Sequence, residues 1–463
     1  MLVRRIFIPR VLLSLLVLYG LCNPLARSEA QLGTTMGQPA QANRHKTAFV
    51  LPSGTQAIRY VVVIMQENRS TDNLFHGLPN ADIATSGLNS KGKKITLTPI
   101  GLVDDYDPIH EHADFVAMYD GGKMDGADLV RVNCGKVKHC PPPNAQFKYV
   151  KPTEVAPYFQ MAETYAFADR MFQTNQGPSF AAHQIIISGT SAPAATSLLF
   201  ASETPVPGAA GCDVAPTVHV PMIDPVGREN LVHYPCFEHE TMPDLLDNAE
   251  ISWRYYAESA HSLWAGPNSI YHLREGPDWD KDVVLDPHQV LSDISKGNLA
   301  TVTWITPTHP DSDHPATNKG TGPSWIASIV NAIGNSQYWA STAIFITWDD
   351  WGGWYDHVAP EVINSYEYGF RVPLVVVSPY AKPGYVSHVT HDFSSILKFI
   401  EGVYGLPSLG YADARADDLS DFFNFSQKPL TFHRIPAPHD ANYFLNQRKP
   451  TVPADVDQGE WDE

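Results

Sequence analysis

Four short runs constrain this chain more than anything else in it. Ile58 to Met65, Ala300 to Ile305, Ala343 to Thr347 and Val372 to Val377 are each of strand length, rich in apolar residues and almost without polar alternation. Successive side chains on a strand point to opposite faces of its sheet, so such a run is covered on both sides. That is the signature of parallel strands buried inside a layered fold. Ile251 to Tyr256 is a weaker fifth run. Helical patterns lie between them. Val155 to Phe167 puts Tyr158, Met161, Ala162 and Tyr165 on one face, Ser324 to Ile333 aligns Ile326, Ile329, Val330 and Ile333, and Ser394 to Tyr404 follows Asp392 as an N-cap. Strands alternating with helices predict an α/β fold, a mostly parallel central sheet with helices on both faces.

In open parallel sheets ligands bind at the carboxyl ends of the strands, so the residues just after each run carry the information. The first run leads into Gln66-Glu67-Asn68-Arg69-Ser70, and the third into Asp349-Asp350 and then Trp351-Gly352-Gly353-Trp354-Tyr355-Asp356-His357. The second leads through Thr306 to His309-Pro310-Asp311-Ser312-Asp313-His314. Taken singly, these are turn chemistry, helix starts and surface loops. Together they bring carboxylates, an amide and imidazoles to one sheet edge, the donor set of a hard or borderline divalent cation. Calcium, magnesium, manganese and zinc all fit that set.

A nucleophile is available too. Gly177-Pro178 makes a tight turn before Ser179, and an apolar helix-like run from Gln184 to Ser188 follows. Ser179 either caps that helix or presents its hydroxyl at a helix N-terminus, where backbone N–H groups favour an anion. A serine beside a divalent cation ionises more readily and can attack phosphorus without a histidine base.

The ends and the cysteines bear on compartment. Arg4, Arg5 and Arg10 precede an apolar run from Val11 to Leu21, and Ser28-Glu29-Ala30 offers small residues at a cleavage site, so residues 1–30 read as a secretory signal. Arg4-Arg5-Ile6-Phe7-Ile8 also suits twin-arginine export, and Sec and twin-arginine routes both stay open. Residues 31–50 read as a flexible lead-in, 51–445 as the catalytic domain and 446–463 as an acidic tail. Nothing after the signal approaches the roughly 20 apolar residues that spanning a bilayer needs, so a secreted or periplasmic protein with no stable membrane anchor is expected. Cleavage would remove four arginines and one glutamate, a net +3, taking the formal charge from −18 to −21. A field of that sign repels phosphate backbones and argues against nucleic acid as a partner. It leaves Cys134, Cys140, Cys212 and Cys236, with three possible connectivities, among which proximity favours Cys134–Cys140 and Cys212–Cys236. The Pro- and Gly-rich stretch from Ala201 to Glu240 reads as an irregular insertion pinned by a disulfide, and the segment after Asn424 as a surface-wrapping tail.

From about Ile58 to Glu401 the chain resembles, block by block and in order, the phosphoesterase family that includes phospholipase C enzymes and a periplasmic acid phosphatase, in the alkaline-phosphatase-like superfamily. Val61 to Phe75 resembles the opening block, Gly177-Pro178-Ser179 the nucleophile block, Asp313-His314-Pro315 a block lining the phosphate site, and Thr347 to His357 the block with two adjacent metal-binding acids. The resemblance implies an alkaline-phosphatase-like α/β sandwich and metal ligands Glu67, Asn68, Asp349 and Asp350. It further implies Ser179 as nucleophile, with His110, from Asp107-Pro108-Ile109-His110, Asp313 and His314 at the phosphoryl group. His388 and Asp392 match a last block less closely. Phe180-Ala181-Ala182-His183 departs from the usual polar and Pro-Asn sequence after the nucleophile.

The expectation is a secreted, metal-dependent phosphoesterase acting on a phosphate ester, with a phospholipid among the candidates, in the manner of phospholipase C. The alternatives are an acid phosphatase acting on phosphomonoesters and a non-catalytic protein that binds a phosphorylated ligand. A metalloprotease is disfavoured, since no HExxH occurs in the chain. Trp348, Trp351, Trp354 and Tyr355 are the residues that could cage a quaternary ammonium, against the commoner role of core packing. Oligomeric state is not legible.

Overall fold

The computed structural model describes Gly54 and residues 57–447 except Thr317. The signal segment, the lead-in and the tail from 448 onward therefore lie outside the described residues. Eight strands form the central sheet: β1 (Tyr60–Gln66), β2 (Ala166–Ala168), β3 (Trp253–Tyr256), β4 (Val283–Val284), β5 (Val302–Ile305), β6 (Thr342–Trp348), β7 (Leu374–Val377) and β8 (Tyr385–Ser387). Their order across the sheet is β4-β3-β5-β1-β6-β7-β2-β8. The long runs take the centre, as their composition requires. Every residue of β5, β6 and β7, and all of β1 but its first, is buried, so both faces of the sheet are covered.

Most neighbouring pairs are parallel, but β7 runs antiparallel to both β6 and β2. An apolar run covered on both faces reads the same in either direction, which is why Val372 to Val377 was expected to be parallel. A second departure lies at the end of helix α1 (Ala156–Thr164). The 3.6-residue pattern carries on to Phe167, yet the helix stops at Thr164, and Ala166–Ala168 becomes β2, bonded to β7 and β8. Tertiary pairing overrides local periodicity there.

Helix α2 (Ser179–Ser188) carries Ser179, α3 (Gln289–Lys296) packs on α4 (Gly322–Gly334), and α5 (Phe393–Tyr404) packs on α2. All ten residues of α2 are buried, polar ones included. Asp392 caps α5 as expected, its carboxylate accepting the Ser395 N–H at 3.0 Å. The Cys134–Cys140 and Cys212–Cys236 pairings are both formed. The stretch around the second is less irregular than expected, since Phe200–Ala201, Val220–Ile223 and Leu231–His233 make a three-stranded antiparallel sheet. After Asn424 the chain buries Ile435 and Phe444, and Phe432 packs edge-on against Trp339. No helix among the described residues is long and apolar enough to cross a membrane.

Candidate active site

The register of the central strands builds the site. β1 and β6 are parallel with Gln66 beside Trp348, so the residues that follow each strand emerge side by side. The Asp349 N–H continues the ladder to the Gln66 carbonyl at 2.9 Å. Asn68 then turns the chain with φ of 57°, a left-handed conformation that asparagine tolerates. Its backbone N–H donates to Asp349 Oδ1 at 2.9 Å, and its side-chain Nδ2 to Asp350 Oδ2 at 3.2 Å. Gly352, at φ of 61°, lets the second loop pass so close to Asn68 that a Cβ there would collide with the Asn68 carbonyl. Its N–H holds Asp350 Oδ1 at 2.7 Å. Glu67, Asn68, Asp349 and Asp350 are all fully buried.

Ser179 meets this group from α2. The N-cap of α2 is Pro178, which has no capping side chain, and Ser179 is the first helical residue. Its hydroxyl is therefore not spent on a cap. It donates to Asp350 Oδ2 at 3.2 Å, at the helix end where backbone N–H groups are left over for an anion. The turn before it needs Gly177, because a Cβ there would strike the Ser202 carbonyl.

One helical turn further, His183 reaches the same group. Positions four apart share a helix face, and His183 Nε2 lies 3.3 Å from Glu67 Oε1 and 3.8 Å from Asp349 Oδ2. Burial pulls its pKa down to about 4. Sequence reasoning noted His183 only as a departure and gave it no role. A histidine inside an apolar helix reads as core, and the one signal available was its i+4 spacing from Ser179.

These residues fit a cation. Among the described residues, Asn68 Oδ1, Asp349 Oδ2 and both ring nitrogens of His183 have no hydrogen-bond partner although all are buried. Buried acceptors left without donors cost free energy that a bound cation would offset. Glu67, His183 and Asp349 offer ligand atoms within 4.8 Å of one another.

His110 lies on the other side of Asn68. Its Nδ1 lies 3.1 Å from the Pro108 carbonyl, which can only accept, so Nδ1 carries the proton of the neutral ring. Nε2 then faces Asn68 Nδ2 at 2.8 Å and Asp350 Oδ2 at 3.6 Å. The His314 ring packs edge-on to His110 with centroids 6.2 Å apart, its Nδ1 held by the Pro315 carbonyl at 2.8 Å. Asp313 is turned differently. Its Oδ2 accepts from Tyr158 at 2.8 Å and Trp348 at 3.0 Å, while the Gln66 amide and Arg69 clamp its backbone. Burial raises its carboxyl to about 6. The structure thus brings Ser179, the four strand-end residues, His110 and His314 together, and turns the Asp313 carboxylate toward Tyr158 and Trp348.

The less closely matched residues sit elsewhere. Asp392 is the α5 cap, and His388 Nδ1 pairs with Asp169 Oδ2 at 2.8 Å. Trp348, Trp351 and Trp354 are fully buried and Tyr355 nearly so. Trp351 packs on Phe370 and Trp354 on Tyr106, so these rings are core. A further acidic group, Asp72, Asp356 and His357, is already filled by the buried Arg371 guanidinium, which bonds Asp356 at 2.8 Å and Asp72 at 3.1 Å.

A buried serine hydroxyl at a helix N-terminus, facing carboxylates at parallel strand ends with two imidazoles nearby, is equipment for transferring an anionic group. Residues 58–407 match the model of the phosphoesterase family, and the chain belongs to that family, whose members hydrolyse phosphoric ester bonds. It is 24% identical to phospholipase C B of Mycobacterium tuberculosis, over 82% of this chain and 80% of that protein. It is also 24% identical to non-specific phospholipase C6 of Arabidopsis thaliana, over 87% and 79%, and 23% identical to hemolytic phospholipase C of Pseudomonas aeruginosa, over 80% and 56%. Among solved structures, a protein in the alkaline phosphatase superfamily from Vibrio parahaemolyticus aligns with a TM-score of 0.34 at 10% identity, covering 77% of this chain and 70% of that one.

Proposed function

We propose that this protein is a secreted, cation-dependent phosphodiesterase of the phospholipase C type that works through Ser179. The observation that carries the reading is the Ser179 hydroxyl at the α2 N-terminus, 3.2 Å from Asp350 beside Glu67, Asn68 and Asp349. The names of its relatives support the substrate class. Glu67, Asn68, Asp349 and Asp350 would hold the divalent cation, which supplies positive charge to the phosphoryl oxygens and lowers the pKa of the Ser179 hydroxyl.

Asp350 Oδ2 accepts the serine proton and orients Oγ. The Ser179 oxygen attacks phosphorus in line, the P–O bond to the leaving alcohol breaks, and a phosphoserine forms that water then hydrolyses. The free N–H groups of the first turn of α2 receive the non-bridging oxygens. His110 Nε2, once protonated, gives its proton to the leaving oxygen, with His314 packed against it. Asp313 acts as a positioning residue, fixing the loop that presents His314.

The second reading is a phosphomonoesterase. It is favoured by the burial of Trp348, Trp351 and Trp354, which leaves those rings unavailable to enclose a quaternary ammonium. Turnover of p-nitrophenyl phosphate beside p-nitrophenylphosphorylcholine and a phosphatidylcholine dispersion, with and without chelator, separates the two. Chelator-sensitive cleavage of the diesters with little of the monoester is the expected result. The reverse preference makes the protein a phosphatase, and inactivity with every substrate and cation across pH 5 to 8 favours the phospho-ligand-binding alternative.

A further inference from the structure

We propose that His183 is a direct ligand of the cation, so that the centre is a mixed nitrogen–oxygen site selecting zinc over calcium. The inference rests on the cation-dependent reading of this same site and goes beyond the all-oxygen set of Glu67, Asn68, Asp349 and Asp350.

Three observations carry it. His183 is placed by helix geometry: four residues after Ser179 on the fully buried α2, it shares the face that Ser179 turns toward the strand ends. Its Nε2 lies 3.3 Å from one carboxylate and 3.8 Å from another, the separations of atoms that share a metal. Two ligand atoms each about 2.1 Å from one cation stand about 3 to 4 Å apart. The ring is also fully buried, and neither nitrogen has a hydrogen-bond partner among the described residues. A core histidine would normally satisfy at least one. Asp349 divides its work accordingly. Oδ1 takes the Asn68 N–H at 2.9 Å, and Oδ2, without a donor, is the oxygen facing His183.

The consequence is selectivity. Calcium, magnesium and manganese favour oxygen ligands, whereas imidazole suits zinc. Adding one imidazole nitrogen to the oxygen set shifts affinity toward zinc, and the shift belongs to one side chain.

The test uses the full mature chain, stripped of metal and titrated with zinc, manganese and calcium by calorimetry, with metal content measured after dialysis. Wild type should prefer zinc over calcium by ~100-fold or more. His183→Gln should lose ~10- to 100-fold in zinc affinity, the range seen when a supporting metal contact is removed, and change calcium affinity by less than about threefold. The manganese-loaded wild type should show imidazole 14N couplings by pulsed EPR. They should vanish in His183→Gln and persist in His110→Gln. Wild-type protein without such couplings would overturn the inference even if His183→Gln failed to fold, and so would couplings that survive His183→Gln. Asp349→Asn separates the two levels. If it abolishes metal binding while His183→Gln leaves affinity and selectivity untouched, only the role of His183 falls. Should Asp349→Asn bind metal normally, the cation lies elsewhere and the reading of the site falls with it.

Discussion

Ser179 is tested by removing one oxygen. The hydroxyl donates to Asp350 and caps nothing, so Ser179→Ala should keep the melting temperature within about 1–2 °C while lowering kcat by at least ~1,000-fold, as loss of a nucleophile does. Undiminished turnover in that variant would remove the covalent route. Asp313 predicts a different signature, because its contacts run to Tyr158 and Trp348. Tyr158→Phe strips one of them and should lower kcat about 10-fold with KM nearly unchanged, a split that steady-state kinetics resolves. That Glu67, Asn68, Asp349 and Asp350 gather at one sheet edge was legible at this scale, because each pair follows an apolar run of strand length. The approach of His183 to this group was not, since an imidazole within an apolar helix reads as core and only its i+4 spacing from Ser179 hints at it.

Helix α5 carries a carboxyl that should make stability depend on pH. Glu401, near its end, is buried, and its Oε1 accepts the Leu409 N–H at 3.2 Å. Burial, with Asp413 beside it, pushes its pKa from 4.5 up to about 9. Between those values the folded chain holds a proton that the unfolded chain has released. Stability therefore falls as pH rises through the window, by up to about 1.4 kcal/mol per unit. Glu401→Gln keeps the acceptor for Leu409 and should flatten that fall; urea midpoints at pH 5, 7 and 9 that decline in parallel for both proteins would refute the assignment. The loop after β6 is tied in by Arg371, wholly buried between Asp72 and Asp356. Arg371→Leu removes the cation paired with the buried Asp356, while Asp72 keeps His357 at 2.8 Å, and should cost about 3–5 kcal/mol in denaturant unfolding. Elements were readable from sequence where periodicity and length agree, as in α5 with its Asp392 cap. They were hidden where pairing decides, as in the three-residue β2 that ends an apparent helix.

For the whole molecule, fold and site are one construction, so the cation should act on global stability. A ligand at about 100 times its dissociation constant adds about 2.7 kcal/mol to folding. Scanning calorimetry of the stripped and metal-loaded protein should show a rise of several degrees that chelator reverses and Asp349→Asn abolishes. Identical transitions would mean that no cation binds the native centre. The α/β class was visible in the strand runs, while the reversed β7 was not, since burial on both faces carries no sign of direction.

The pairing of Gln66 with Trp348 has a consequence for how such a protein can change over time. Glu67-Asn68 and Asp349-Asp350 are delivered by a single strand register, so a slip of one residue would misplace all four at once. An insertion or deletion in either strand therefore moves both members of a pair together, and out of step with the other pair. Ser179 and His183 arrive instead on a helix that can be rewritten one position at a time. On the proposed ligand set, a substitution at His183 would change the preferred ion while leaving both strand-end pairs in place.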